Sequence, residues 1–212
     1  MSNLNNHKIK AIIFDMDGVL IDAKDWHYEA LNKALELFGA KIEVAEHLST
    51  FDGLPTKIKL QTLSESGRIP LKLHGLIAEL KQKYTEQITQ LKCKPRFVHQ
   101  YALSKLKEEG FLLAVASNSV MSTIDNMMRL SLLKDYFDFF LSNEDVKNPK
   151  PDPEIYVKAI NNFGLKSQEV VIVEDNCNGI KAAKAAGGNV LEVKNVEDVN
   201  YRNIKDFIKN CY

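Results

Sequence analysis

The chain has 212 residues, enough for one large domain or for a domain with a smaller insert. Lys+Arg and Asp+Glu number 28 each, so the formal net charge is zero and nothing favours nucleic acid as a partner. No apolar run approaches the ~20 residues that span a bilayer, so no membrane association is expected. The start, Met1 to Lys10, is polar and has no apolar signal core. Cys93, Cys177 and Cys211 lack metal spacing and fit a reducing, cytoplasmic setting, with Cys177 expected as a small buried or half-buried thiol.

The first element is the apolar run Ala11-Ile12-Ile13-Phe14, which reads as a strand buried on both faces of a parallel sheet. Asp15 and Asp17 follow at once, with Gly18 behind them. The carboxyl end of a strand is where an open α/β sheet receives its ligands. Two acids there repel each other unless a cation joins them.

A stretch without strands comes next. Asp25 to Phe38 reads as a helix stopped by Gly39, followed by a loop at Phe51 to Thr56. Helices are expected over Thr56 to Glu65 and Leu73 to Leu91. Residues 23–93 are therefore expected to form an inserted helical cap, and residues 1–22 and 94–212 the core domain.

From Lys94-Pro95-Arg96 onward, strands and helices alternate. Phe97 to Glu109 is a helix, Phe111 to Ala116 a strand, Ser122 to Leu130 a helix and Phe137 to Leu141 a strand. Asp152 to Phe163 is a helix, Val170 to Val173 a strand, Asn178 to Ala186 a helix and Val190 to Val193 a strand. A tail helix runs from about Asp198 to Lys209. The alternation implies an α/β fold, a doubly wound Rossmann-like parallel sheet covered on both faces.

Strands one, two and four each end in polar residues, so one sheet edge collects Asp15, Asp17, Ser117, Asn118, Glu174 and Asp175. A set of acids without His or Cys suits a hard cation, and Mg2+ is the natural choice. Asp15 and Asp175 are the expected ligands, with Glu174 a weaker candidate, directly or through water. Ser117 and Asn118 form an anion cradle where a helix begins. Lys147-Asn148-Pro149-Lys150-Pro151-Asp152-Pro153 is a stiff loop, and Lys150, inside its proline frame, is the preferred fixed positive charge for a phosphate.

Taken together, Phe14-Asp15-Met16-Asp17-Gly18-Val19, Ser117-Asn118, Lys150-Pro151-Asp152-Pro153 and Glu174-Asp175 with Gly179, Ala182, Ala183 and Gly187 resemble the haloacid dehalogenase-like hydrolases. More narrowly, the chain is similar to the subgroup with a helical cap after the first strand, which includes β-phosphoglucomutase and phosphoglycolate phosphatase. The resemblance implies Asp15 as nucleophile, Asp17 as acid and base and, through its backbone carbonyl, a metal ligand. It implies Ser117 and Lys150 as phosphoryl-holding groups and Asp175 as the main distal ligand. His27 falls where mutase-like members have a cap histidine near the leaving group, which makes it a substrate-binding candidate. Gly53 matches the cap glycine of the mutases, but its neighbours Asp52, Leu54, Pro55 and Thr56 lack the basic residues that mutases place there. The expected activity is a Mg2+-dependent phosphatase of a small phosphorylated metabolite, sugar phosphates among them. A monomer is favoured, and a phosphomutase or a non-catalytic phospho-ligand binder are the alternatives.

Overall fold

The computed structural model describes residues 8–211, so the start of the polar stretch, Met1 to His7, lies outside the described residues. Strand β1 (Ala11–Phe14) is fully buried, as its unbroken apolar run demands. It lies at the centre of a parallel sheet with β2 (Leu112–Ala116), β3 (Phe139–Leu141), β4 (Val170–Glu174) and β5 (Asn189–Glu192), in the order β3-β2-β1-β4-β5. Phe14 pairs with Val115 on one side and Val173 on the other. That register carries Asp15, Ala116 and Glu174 to the same edge.

Successive side chains of a strand face opposite ways. Ile12, Phe14, Val115, Val171 and Val173 pack against Leu103, Ile124, Met127, Ile204 and Ile208. These come from α5 (Phe97–Glu108), α6 (Met121–Leu130) and α9 (Tyr201–Lys209). Ala11, Ile13, Ala114, Ala116 and Ile172 face Ile155, Tyr156, Ala159, Ala182 and Ala183. Those belong to α7 (Glu154–Asn162) and α8 (Cys177–Ala185), so both faces are covered and the fold is the doubly wound α/β type.

Between β1 and α5 lie α1 (Lys24–Glu36), α2 (Val44–Glu46), α3 (Thr56–Glu65) and α4 (His74–Lys92). A π-helical turn, His47–Phe51, follows α2. This helical block has its own core of Leu31, Leu35, Ile42, Phe51, Leu60, Leu63 and Ile77. Asn32 is buried inside it, and its side chain both donates to and accepts from the backbone of Ile42 at 2.9 Å. Among the described residues no helix is long and apolar enough to cross a membrane.

Several ends differ from the sequence expectation for local reasons. The helix expected from Asp152 begins at Glu154, because the Asp152 carboxylate accepts the Glu154 N–H at 2.9 Å and starts the first turn from outside. The tail helix begins at Tyr201, three residues late, because Asn195 closes a short turn over Val196–Asp198 and Asn200 caps the helix proper. The strand expected from Phe137 begins at Phe139, after Asp138 has turned its carboxylate to the Leu113 N–H.

Candidate active site

Of the residues placed at the sheet edge by the sequence, Asp15, Asp17, Ser117, Asn118 and Glu174 line one cavity of about 430 Å³ between the sheet and the helical block, and Asp175 joins Asp15 and Glu174 in an acid cluster at its edge. Asp15 follows β1 directly, and its N–H is still held by the Val173 carbonyl at 3.0 Å. Gly18 turns the chain away with φ of +88°, and a Cβ there would come within 2.1 Å of Asp175 Oδ2. Only glycine fits that turn beside that carboxylate.

Lys150 reaches the edge from the proline loop and is 3% exposed. Its Nζ lies 2.6 Å from Asp15 Oδ1, 2.8 Å from Glu174 Oε1, 2.8 Å from the Ala116 carbonyl and 2.7 Å from the Tyr156 hydroxyl. An ammonium has three N–H groups, so one of these four contacts is shared. Tyr156 donates its own hydroxyl hydrogen bond to Glu174 Oε1 at 2.6 Å. Burial pulls the lysine pKa down, but the Asp15 and Glu174 carboxylates outweigh it and hold the ammonium above its ordinary value. The charge is therefore permanent at neutral pH.

Asp15, Glu174 and Asp175 bring carboxylate oxygens within 4.8 Å of one another. Burial drives Asp15 well above its ordinary pKa; Lys150 opposes this, while Glu174, Asp175 and Asp17 add to it. Asp175 rises to about 6, again through burial first, with Lys24 pulling the other way. Lys24 Nζ meets Asp175 Oδ2 at 2.5 Å, whereas the buried Oδ1 has no hydrogen-bond partner. Crowded buried acids with an orphaned oxygen fit a divalent hard cation. Glu174 differs from the other two. Its Oε2 accepts the N–H groups of Asp175 at 3.0 Å and Asn176 at 3.2 Å, while its Oε1 is held by Lys150 and Tyr156. Both oxygens are already engaged, which makes Glu174 the anchor of Lys150 before anything else.

Asp17 stands in a separate network. Its Oδ1 is 3.0 Å from His27 Nε2, and its Oδ2 accepts the Ser119 hydroxyl at 2.9 Å. On the far side of the ring, Lys81 Nζ is 3.2 Å from His27 Nδ1. An ammonium can only donate, so Nδ1 accepts and the proton sits on Nε2, facing Asp17. Burial lowers the His27 pKa, with Lys81 adding to the effect against Asp17. Burial alone would raise Asp17, but His27, Ser119 and Lys81 hold it below its ordinary value.

Ser117 is buried, and its hydroxyl oxygen accepts the Ser119 N–H at 3.1 Å. Asn118 joins three segments: its Nδ2 donates to the Gly53 carbonyl at 3.0 Å, and its Oδ1 accepts the Lys150 N–H at 3.2 Å. Gly53, with φ of +70°, sits so close to Asn176 that a Cβ would meet its Oδ1 at 2.5 Å. The neighbouring Asp52 accepts from Asn176 Nδ2 at 2.7 Å.

Sequence reasoning missed Ser119, Lys24, Lys59, Lys81 and Tyr156. Ser119 lies one residue past the expected cradle, and Lys24 heads α1 a few residues after Asp17 and Gly18, so proximity in sequence could have found both. Lys59 and Tyr156 are set by helix phase, and Lys81 by the packing of α4 on α1, which spacing alone does not reveal. One expectation is corrected: Cys177, the first residue of α8, is exposed, because it lies off the face of that helix that Gly179, Ala182 and Ala183 bury against the sheet.

The haloacid dehalogenase-like hydrolase family matches residues 12–193, and the chain belongs to that family. It is 32% identical over 180 residues to the phosphorylated carbohydrates phosphatase of Thermotoga maritima, covering 84% of this chain and 82% of that one. It is 28% identical over 181 residues to the phosphoglycolate phosphatase of Photorhabdus laumondii, covering 84% and 77%. In fold it is similar to a β-phosphoglucomutase from Clostridium difficile, with a TM-score of 0.82, 22% identity and coverage of 95% and 98%. The CbbY protein of Rhodobacter sphaeroides in complex with phosphate gives a TM-score of 0.76 at 24% identity, covering 86% and 84%. The chain is thus a hydrolase of the phosphoric monoester class whose curated relatives include phosphatases.

Proposed function

We propose that this protein is a Mg2+-dependent phosphatase of a small phosphomonoester, with sugar phosphates among its substrates, acting through an aspartyl-phosphate on Asp15. The observation that carries the reading is the setting of Asp15, with the Lys150 ammonium at 2.6 Å on one side and the Asp175 carboxylate in the same acid cluster on the other. Asp15, Asp175 and the Asp17 backbone carbonyl would hold the ion, which supplies charge neutralisation for the transferring phosphoryl group.

Asp15 attacks phosphorus in line, and the ester P–O bond breaks as the acyl-phosphate bond forms. Lys150, anchored by Glu174 and Tyr156, neutralises the phosphoryl oxygens, and the Ser117 hydroxyl donates to them. Asp17 gives a proton to the leaving oxygen. Its resting environment keeps it ionised, so the proton must come as the substrate dianion enters and raises its affinity for one. His27 and Ser119 aim the carboxyl. In the second half Asp17 takes a proton from the water that attacks the acyl-phosphate, releasing inorganic phosphate and the free Asp15 carboxylate. The helical block acts as a cap, with the Gly53 loop latched through Asn118 and Asn176, and excludes bulk water.

Turnover of an aryl phosphate with Mg2+, set against an Asp15→Asn variant, tests the reading. Loss of turnover in the variant is expected, and equal rates contradict the nucleophile. Release of inorganic phosphate, rather than an isomerised sugar phosphate, separates a phosphatase from a phosphomutase.

A further inference from the structure

Lys24, the first residue of α1, stands where its own helix does not favour it. The N-terminus of a helix carries partial positive charge, so an ammonium there is repelled rather than held. Lys24 instead reaches away from the helix to the sheet edge, where its Nζ meets Asp175 Oδ2 at 2.5 Å. Gly18 opens the route: a Cβ at that position would come within 2.5 Å of Lys24 Cε as well as 2.1 Å of Asp175 Oδ2. The lysine side chain is 39% exposed and the aspartate side chain 1%, so the carboxylate is enclosed while the ammonium has a way out to water.

The charges of the acid cluster decide what this contact does. Asp15, Glu174 and Asp175 bring three carboxylates together. Lys150 is shared by Asp15 and Glu174, which leaves Lys24 as the cation on Asp175. The other oxygen of Asp175, Oδ1, is buried and has no hydrogen-bond partner. Two oxygens on one carbon are too close for an ammonium and a divalent ion to share them without repulsion. Either Lys24 keeps Oδ2 and repels an ion on Oδ1, or it gives way toward solvent and Asp52, whose charge also acts on it. In both cases an ion binds less tightly than the acids alone would allow.

We infer that Lys24 is an internal counter-ion that competes with the divalent cation for Asp175 and so sets the cation affinity of the site. This rests on the metal-dependent reading above and adds to it a residue from the first helix of the helical block. Lys24 neutralises the enclosed Asp175 before an ion arrives, so the folded sheet edge does not depend on metal for its charge balance. The same contact makes the ion displace or approach a positive charge as it binds.

The test titrates Mg2+ calorimetrically into the full-length protein, dialysed first against a chelator and then against buffer, with no substrate present. Lys24→Met and Lys24→Gln are expected to bind Mg2+ about tenfold more tightly than the parent, the scale of one charge interaction in a partly buried site. Lys24→Arg keeps the charge and is expected to stay within about threefold of the parent. Melting temperature gives a second readout. Both neutral variants are expected to melt below the parent in chelator, where Asp175 lacks its counter-ion, and to gain more than the parent at the same Mg2+ concentration. Mg2+ binding by Lys24→Met and Lys24→Gln that is equal to or weaker than the parent's overturns this inference alone, weaker binding meaning that Lys24 holds Asp175 in place for the ion. No Mg2+ binding by any of the four proteins overturns the metal reading and this inference together.

Discussion

Gly179→Ala is a small change with a large expected consequence. Gly179 lies in the first turn of α8, and a Cβ there would stand 1.7 Å from Glu174 Oε1 and 2.0 Å from its Cδ. In an isolated helix the substitution would stabilise by ~1 kcal/mol. Here Glu174 is 1% exposed and cannot swing into solvent. It must leave Lys150 and Tyr156, which it now holds at 2.8 and 2.6 Å. Two bonds to a buried charged group, at ~1.5–3 kcal/mol each, outweigh the propensity gain. The net loss is about 2–5 kcal/mol, or roughly 5–15 °C in melting temperature for a chain of this size. Turnover falls as well, because Lys150 loses the carboxylate that aims it at Asp15. Calorimetric melting with an activity assay at saturating Mg2+ checks both. A Gly179→Ala protein that melts at or above the parent temperature with full turnover would refute the argument that Glu174 is the anchor of Lys150.

Other expectations follow from the same contacts. Lys59 sits at about 8 in the folded chain against an ordinary 10.5, with burial and Lys81 lowering it and Asp52 and Asp17 opposing. Between these values the unfolded chain binds more protons, so the penalty is fully present below about pH 8 and is relieved as pH rises toward 10.5. Lys59→Met is therefore expected to be more stable than the parent at pH 7 by about 1–3 kcal/mol, and to gain less on going to pH 10, by denaturant melts at both values. Asp17→Asn is expected to lower kcat on an alkyl phosphate by about a hundredfold to ten-thousandfold, and by less on an aryl phosphate whose leaving group needs no proton. Asn32→Ala leaves the buried Ile42 N–H without its partner, while the Ile42 carbonyl keeps the Tyr28 hydroxyl at 2.9 Å, and is expected to destabilise by ~1–3 kcal/mol in chemical denaturation. Mg2+ at a hundredfold excess over its dissociation constant is expected to stabilise the protein by about 2.7 kcal/mol, and a chelator to reverse this together with activity.

How much was legible depended on how local each signal is. β1 and β4 read cleanly because strands buried on both faces are continuous apolar runs, and their last residues deliver the acids. The convergence of Asp15, Ser117 and Asp175 followed from topology, since parallel strands place their carboxyl ends at one edge, whereas Lys150 was read from its proline frame. Val44 to Phe51 gave no helical signal, because Val44 and Leu48 are exposed and no apolar stripe forms. The inward turn of Lys59 depends on how α3 is rolled against Leu31 and Ile77, which sequence spacing does not encode. The role of Glu174 was assigned by residue type, as an acid beside an acid, and only the partners of its two oxygens reveal a lysine clamp.

The central claim is that Asp15 becomes phosphorylated. Rapid acid quench of the enzyme during turnover of a phosphate-labelled substrate, followed by peptide mapping, measures this directly. The account predicts hydroxylamine-labile label on the peptide containing Asp15, and none on the Asp15→Asn protein. Steady turnover with no covalent label at any quench time, or label on a different residue, would contradict it.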